Sequence, residues 1–215
     1  MKQQNNSSAS LSSTSESSPG IASSSSYDDL VFSAIAGLGT HEVIDEVIDT
    51  EFSNCTFENC KLMNISFALC RFERCEFKNC DLSLMVIKNT AFRGVRFIDC
   101  KLSGVQWANA SIPLDVNFKR CLMNYSGFIK VDLRNTEMIE CQLKEADFSE
   151  ANLTKASCLG SDFTGARFSN TNLTRANFTN ATNYAIHPQG NKLCKTVFSL
   201  PEVLSLLNVF DIIIK

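Results

Sequence analysis

The chain carries ten cysteines and two histidines, the residue types best suited to metal binding or nucleophilic chemistry. Nine of the cysteines lie between residues 55 and 158, and their closest spacing is C-x4-C. That spacing does not fit the close cysteine pairs of common zinc sites. Because the cysteines fall within an apolar repeat, we interpret them as small inward-facing side chains. We expect no metal and no cofactor.

The other chemistry-bearing residues form no catalytic pattern. His41 and His187 are far apart in sequence, and His187 stands beside Pro188 in a predicted loop. No nucleophile–base pair, phosphate-binding loop or cluster of carboxylates is present in the sequence. Cys194, outside the repeat, is the best candidate for an exposed thiol. The sequence therefore predicts a protein that is not an enzyme.

The N-terminal sequence and the number of cysteines indicate the cellular compartment of the protein. The first ten residues have no apolar stretch of the kind found in secretory signals, and no apolar segment is long enough to cross a membrane. Many cysteines without such a signal indicate a reducing environment in which thiols stay free. We therefore expect a cytoplasmic protein with no membrane partner.

A strict period of five organises the chain from Phe52 onward. Every fifth residue is large and apolar up to residue 112, and the pattern resumes from Phe118 to Phe178. The position two residues before each of these is mostly Cys, Ala or Ser. The first series comprises Phe52, Phe57, Leu62, Phe67, Phe72, Phe77, Leu82, Ile87, Phe92, Phe97, Leu102, Trp107 and Ile112.

A period of five matches neither an α-helix nor a β-strand, so the chain must turn a corner every five residues. Four such sides close a coil of about twenty residues, and coils stack at strand spacing. The prediction is an all-β fold, a right-handed quadrilateral β-helix over residues 51–180. Each coil would bury its inward residues only against its neighbours.

Residues twenty apart must then stack on each other. One extra residue near Pro113–Asp115 is expected to bulge at a corner without shifting the faces, so like residues stay aligned across it. The predicted core ladders are Cys60, Cys80, Cys100, Cys121 and Cys141 on one face, and Phe57, Phe77, Phe97 and Phe118 on another.

Both ends depart from the repeat. Residues 1–26 are rich in Ser and are predicted to be a disordered tail. Residues 27–50 are predicted to be a short helix, capped by Ser26, and a lead-in to the rod. Residues 181–215 are predicted to form a helix–strand cap over the open end, with a second capping box from Ser199 to Glu202 and a strand at Ile212–Ile214.

The apolar face of this cap has two possible roles. It could serve only as a plug for the end of the rod. It carries more Leu, Val and Ile than one small end requires, however, which favours a homodimer. The predicted dimer interface comprises Leu204, Leu207, Phe210, Ile212 and Ile214.

The tandem motif A/C/S-x-[L/F]-x-x resembles the pentapeptide-repeat protein family over residues 50–180. The tail, with NFTNATNY followed by VFSLPEVLSLLNVFDIII, resembles the C-terminal cap of the quinolone-resistance (Qnr) branch. That resemblance implies end-to-end dimers which protect DNA gyrase and topoisomerase IV from fluoroquinolones by imitating duplex DNA. A type II topoisomerase is therefore the expected partner.

The charges do not follow this resemblance. Residues 51–180 contain 14 acidic and 16 basic side chains, and no face carries an acidic stripe. Imitating a duplex should require a dense negative field. The bases are interspersed with acids, so direct nucleic-acid binding is not expected either. The alternative is a secreted bacterial effector or general scaffold, exported by a Sec-independent system through its Ser-rich leader.

Overall fold

The computed structural model describes residues 21–35, 46–210 and 212–213. The chain winds into a four-sided parallel β-helix of about eight coils, which confirms the predicted fold class. The strands within these residues are Ser26–Asp28 (β1), Val31–Ser33 (β2), Glu46–Ile48 (β3), Glu51–Ser53 (β4), Thr56–Glu58 (β5), Ser66–Ala68 (β6), Arg71–Glu73 (β7), Glu76–Lys78 (β8), Ala91–Arg93 (β9), Val95–Ile98 (β10), Val116–Lys119 (β11), Met138–Ile139 (β12), Asn177–Phe178 (β13) and Val197–Phe198 (β14).

Strand pairing divides the rod into four faces. The sheets run β1-β4-β7-β9, β2-β5-β8-β10-β11-β12, β3-β6 and β13-β14, and isolated parallel bridges continue the pairing between them. We name the faces by their buried inward side chains. Face A includes Phe52, Phe72 and Phe92; face B includes Phe57, Phe77, Phe97 and Phe118; face C includes Leu62, Leu82 and Leu102; face D includes Phe67, Ile87, Trp107 and Phe128.

The register along face B shows how the extra residue is absorbed. Phe57 pairs with Phe77, and Phe77 with Phe97, at the regular interval of twenty residues. Phe97 then pairs with Phe118, one residue further on. The extra residue therefore lies between these strands and leaves the faces aligned, as predicted.

Stacked aromatic rings fill the rod. Along face B the ring centroids of Phe57 and Phe77 are 4.4 Å apart, those of Phe77 and Phe97 4.9 Å, and those of Phe97 and Phe118 5.4 Å. The planes of each pair are within 14° of parallel. Rings on adjacent faces meet edge to face, for example Phe72 against Phe77. Both arrangements are favourable for aromatic quadrupoles.

The corners depend on a backbone conformation that the period did not reveal. The residue two places after most inward residues has a positive φ, as in Asn54, Asn59 and Asn64. Asn tolerates this left-handed region better than other side chains do. Leu69 and Leu84 occupy equivalent corners with φ of 58° and 59°, so these two positions are strained.

The helix predicted after Ser26 is wrong over the described residues 26–35, which form β1 and β2 instead. Tyr27 and Phe32 lie five residues apart and point inward, and the Phe32 ring stacks on Phe57 at 4.7 Å. Val31, between these two inward residues at the start of β2, is 55% exposed, as an outward residue of a strand would be. Two inward residues are too few to reveal a five-residue period in the sequence. The capping signal at Ser26 therefore favoured a helix for this segment.

The first coil also begins earlier than predicted. Ile21 is buried, and the backbone N–H of Ser24 donates to the carbonyl of Ile48 at 2.8 Å. Residues 21–26 are therefore part of the rod, because their backbone groups pair with the next coil whatever their side chains. The rest of the predicted tail, residues 1–20, lies outside the described residues.

The first two coils are offset by 25 residues rather than twenty, since Phe32 pairs with Phe57. Val47 pairs with Phe67 at the regular interval, so five extra residues lie between β2 and β3. That stretch includes residues 36–45 and the candidate His41, which are outside the described part of the chain.

The assignment of Ile112 to the core is wrong. Its side chain is 88% exposed, and Leu114 packs against the core in this part of the coil. The extra residue displaces the chain outward where it would form face A of this coil, because the Asp115 N–H bonds to the Phe92 carbonyl out of the regular register. Asp115 secures the displaced segment, because its Oδ2 accepts the Gly94 N–H at 2.9 Å. We call this interruption the corner break, residues 110–115.

The rod continues past residue 180. Strand β14 pairs with β13, and Asn172 bridges to Lys192, so residues 181–198 form a further coil. The repeat was hidden because Tyr184 and Ile186 fill the interior off the five-residue register, and a 3-10 turn at Pro188–Gly190 replaces one side.

The cap differs from its predicted form. A 3-10 helix spans Glu202–Val209, and no side chain caps its start. The capping box from Ser199 to Glu202 is therefore wrong: Ser199 Oγ accepts the Asn180 N–H and Glu202 Oε1 accepts the Asn183 N–H. Ile212, in the predicted terminal strand, is not in a strand, and Ile214 lies outside the described residues.

The corner conformation yields a stability prediction. Leu69→Asn should raise the free energy of unfolding by about 0.5–1 kcal/mol, since Asn lowers the cost of a positive φ. The Leu69 side chain is 58% exposed, so little packing is lost. The reciprocal control, Asn64→Leu, places Leu at a corner with φ of 61° and should destabilise by a similar amount. Urea denaturation would measure both, and equal signs for the two changes would contradict the argument.

Candidate interaction surfaces

The cysteine ladder is structural. Cys60, Cys80 and Cys100 are buried, and each thiol donates to a carbonyl of the preceding coil at 3.3 Å, namely those of Phe32, Phe57 and Phe77. Cys121 continues the ladder with the same bond to Phe97, also at 3.3 Å, and Cys141 follows as a buried residue. The period indicated the size of these residues but not their donor role.

At other coils, Ser and Thr hydroxyl groups donate the equivalent hydrogen bond to a carbonyl of the preceding coil. Ser161 Oγ, the next member of the cysteine ladder, donates to the Met138 carbonyl at 2.7 Å, and Thr171 Oγ1 donates to the Phe148 carbonyl at 2.9 Å. The recurrence of Cys, Ser and Thr at one position of the repeat was the signal in the sequence that could have shown this. The small position therefore selects for a donor as well as for a small volume.

Little reactive chemistry follows from these thiols. Nine of the ten cysteines are buried and Cys194 is exposed. Burial raises the pKa of Cys158 and of Cys70, which keeps these thiols protonated and unreactive. Across the described residues no cluster of three or more His, Cys, Asp or Glu side chains could hold a metal ion. His187 is exposed in the loop of the last coil.

Face B carries interlocked charges. Lys78 Nζ lies 2.5 Å from Glu76 and 3.8 Å from Glu58, and Arg96 contacts the other oxygen of Glu76 at 3.1 Å. At its corner Arg120 binds Asp99 at 2.6 Å and, as its nearest hydrogen-bond donor, lowers the pKa of that carboxyl. Each of these three acidic side chains has a basic partner, so this part of face B presents no acidic stripe.

The cap leaves much of its apolar surface in solvent. Of the predicted interface, Leu204 and Phe210 are exposed, Phe210 by 49%, and Leu207 is half-buried. Ile212 is also exposed, while Ile214 lies outside the described residues. Leu206, which is not part of the predicted interface, packs against the core. The cap thus docks on the rod by one side and presents its other apolar residues outward.

Sequence reasoning missed a cleft at the corner break. Its volume is about 290 Å³, and it lies between the coil that contains Trp107 and the coil that contains Val131. Ile112 and Ile129 stand at its rim, and Leu114 lines it. The signal in the sequence was the interruption of the period beside Pro113, which was interpreted only as a bulge.

These features define a β-solenoid repeat protein that offers extended faces, an apolar end and a cleft at the corner break. The chain belongs to the pentapeptide-repeat family. The family model for a pentapeptide repeat region matches residues 50–128, and that for pentapeptide repeats in eight copies matches residues 141–180. No curated protein sequence matches this chain. None of the helices in the described residues is long and apolar enough to span a membrane.

Solved structures share the fold at low identity. Trypsin-treated QnrB1, a plasmid-mediated fluoroquinolone resistance protein, aligns with a TM-score of 0.60 and 19% identity in one variant, over 88% of this chain and 100% of that one. A second trypsin-treated variant of QnrB1 aligns with a TM-score of 0.60 and 20% identity, over 85% of this chain and 99% of that one. HetL is a pentapeptide-repeat protein from the cyanobacterium Nostoc that is involved in heterocyst differentiation regulation. It aligns with a TM-score of 0.37 and 16% identity, over 83% of this chain and 87% of that one.

The buried thiols predict a pH dependence of stability. The neighbouring thiol of Cys121, together with burial, raises the pKa of Cys100 to about 12. In the unfolded chain a thiol titrates near 8.5, so Cys100 contributes stability that is complete below pH ~8.5 and is lost as pH rises toward the folded pKa. Cys100→Ser should therefore make the fall in stability shallower by about 1.4 kcal/mol per pH unit in that window.

At pH 7 the same substitution should cost about 1 kcal/mol or less, because a hydroxyl can donate to the Phe77 carbonyl as Ser161 does to Met138. Thr171→Ser, which keeps a donor at an equivalent position and removes no titrating group, is the control and should leave the pH slope unchanged. Denaturant melts from pH 7 to 11 would test this, and parallel curves for Cys100→Ser and the wild type would contradict it.

Proposed function

We propose that this protein is a non-enzymatic interaction rod of the Qnr type, which binds DNA gyrase or topoisomerase IV in the cytoplasm and protects it from fluoroquinolones. The observation that carries the proposal is the combination of one continuous rod with a docked apolar cap. The structural likeness to QnrB1 extends over all of that chain and supports the fold on which the proposal depends. The topoisomerase is the partner that the resemblance of the cap sequence implies.

The distribution of polar groups suits a binding role. The interior is filled by stacked rings and buried thiols, so contacts with a partner are left to the outer surface. Backbone pairing between coils holds outward side chains in rigid rows, which lowers the entropy lost on binding. A rigid rod of this kind can bind a partner along a face without rearranging.

We further propose that the protein is a homodimer joined through its caps. Leu204, Phe210 and Ile212 form an apolar surface at the end of the rod. Apolar surface of this kind, concentrated at one end of a molecule, marks an interaction site. Self-association of two caps would give a two-fold symmetric rod of double length, since the same surface is used by both copies.

The charges favour a second candidate, the secreted effector or scaffold. Ion pairs such as Lys78–Glu76 and Arg120–Asp99 place a base beside several acids of face B, unlike the uninterrupted negative charge of a duplex. The Ser-rich segment at residues 1–20 is the sequence feature that this candidate requires. Under the first candidate, recognition of the topoisomerase would depend on shape and local contacts instead of on charge imitation.

A supercoiling assay tests the first candidate. The purified full-length protein should restore gyrase supercoiling in the presence of a fluoroquinolone, because it would compete with the drug-stabilised complex. Titration without drug is the control, as simple inhibition of gyrase would lower supercoiling there. No restoration of gyrase supercoiling at tens of micromolar protein would count against a Qnr-like role and favour the second candidate.

Sedimentation equilibrium tests the dimer. The protein should sediment with twice the mass of the chain at micromolar concentration, and Phe210→Asp should return it to the monomer by placing a charge in the interface. Val31→Asp is the matched control, since Val31 is exposed to a similar degree on face B of the first coil. A monomeric wild type, or a dimer that Phe210→Asp leaves intact, would exclude this interface.

A further inference from the structure

We propose that the cleft at the corner break is an anchor site, into which a protein partner inserts one apolar side chain next to an acidic residue that pairs with Lys88. This inference depends on the proposed role as an interaction rod and adds the position and chemistry of a contact. It does not require that the partner be a topoisomerase.

The shape of the cleft suits a single side chain. Its volume of about 290 Å³ is at the lower limit of small-molecule sites, and it is open on one side. Most of its lining is apolar, with Ile112 and Ile129 at the rim, 88% and 43% exposed. The two charged lining residues already have partners: Lys130 pairs with Glu150 and Asp132 with Arg134.

Trp107 supplies the second observation. Trp107 is among the residues that line the cleft, and its indole is buried inside the rod; its Nε1–H has no hydrogen-bond acceptor among the described residues. Phenylalanine rings contact the indole inside the rod, and they offer no conventional acceptor. Buried polar groups are rarely left unsatisfied, and a buried indole N–H usually finds a partner. A bound segment that reaches this atom through the cleft would supply the missing acceptor, for example with a backbone carbonyl.

The surface beside the cleft favours an acidic partner. Ala108 on face D lines the cleft, and Val86 and Lys88 lie one coil away on the same face, as the bond from the Asn89 N–H to the Asn109 carbonyl shows. Lys88 has no ion-pair partner among the described residues, whereas Lys78, Lys101 and Lys130 each have one. An unpaired cation beside exposed apolar residues is complementary to a carboxylate that flanks an apolar side chain.

This combination favours a protein segment over a small molecule. Interfaces concentrate their binding energy in a few apolar anchors seated in pockets, with polar contacts around them. An apolar residue in the cleft, a carbonyl near Trp107 and a carboxylate at Lys88 are three features that one extended peptide can supply. The adjacent outward residues of face D would then exclude water around the anchor.

Fluorine NMR can observe the cleft directly, because Trp107 is the only tryptophan of the chain. Full-length protein labelled with 5-fluorotryptophan gives a single resonance that is unaffected by the tryptophans of any partner. The probes are three capped tetrapeptides, acetyl-Glu-Leu-Leu-Glu-amide, acetyl-Lys-Leu-Leu-Lys-amide and acetyl-Glu-Ser-Ser-Glu-amide. The acidic leucine peptide should shift the resonance with a Kd of about 1 mM, which is typical of one weak anchor.

The other two peptides test the roles of the carboxylate and of the apolar side chain, and two protein variants test the position of the site. The lysine peptide should bind about tenfold more weakly because it repels Lys88, and the serine peptide should not shift the resonance. Ile112→Asp should abolish the shift while keeping the fold, since Ile112 is almost fully exposed. Met63→Asp, also exposed but on face C, is the matched control and should bind as the wild type does.

Some outcomes would overturn the anchor site whatever the gyrase assay gives. These are no shift with the acidic leucine peptide, an equal shift with all three peptides, or an unchanged shift in Ile112→Asp. Loss of gyrase protection with peptide binding retained would contradict the topoisomerase role and leave the cleft standing. Gyrase protection by the wild-type protein, together with failure of the acidic leucine peptide to bind that same protein, would contradict the cleft and leave the function standing.

Discussion

Everything in this protein depends on the pairing of residues that are twenty positions apart. Backbone bonds between successive coils, such as that from the Phe67 N–H to the Val86 carbonyl at 2.8 Å, hold the register. The same register places ring upon ring along face B and thiol above thiol beside it. Because each coil satisfies its polar groups and buries its apolar ones only against its neighbours, register and core form together.

That dependence explains why the interior could be predicted and the ends could not. The inward ladder of Phe77 and Phe97 repeats often enough to define its own period, and size alone identifies it. The first coil offers only Tyr27 and Phe32 before the interval lengthens, so local helix signals outweighed a period with two members. In the last coil Tyr184 is out of register, and the chain there is recognised as a coil only from its backbone pairing.

The surface was predictable in composition but not in detail. The balance of charges was visible in the sequence, whereas the pairing of Lys78 with Glu76 required the geometry of neighbouring rows. The same holds for the corners. Leu69 is an apolar residue of the kind usually found in a core, yet the backbone holds it at an exposed turn with a positive φ. A period reports which residues face inward, and it says little about how the outward ones meet.

The corner break has a consequence for how such a rod can be recognised. A regular solenoid has near-translational symmetry, so a partner bound along one face could move by one coil, roughly 4.8 Å, and find almost the same surface. Ile112 and the cleft below it occur once along the described rod. Because this feature marks one coil, a partner that contacts it is held at a single position along the rod and does not shift to the neighbouring, similar positions.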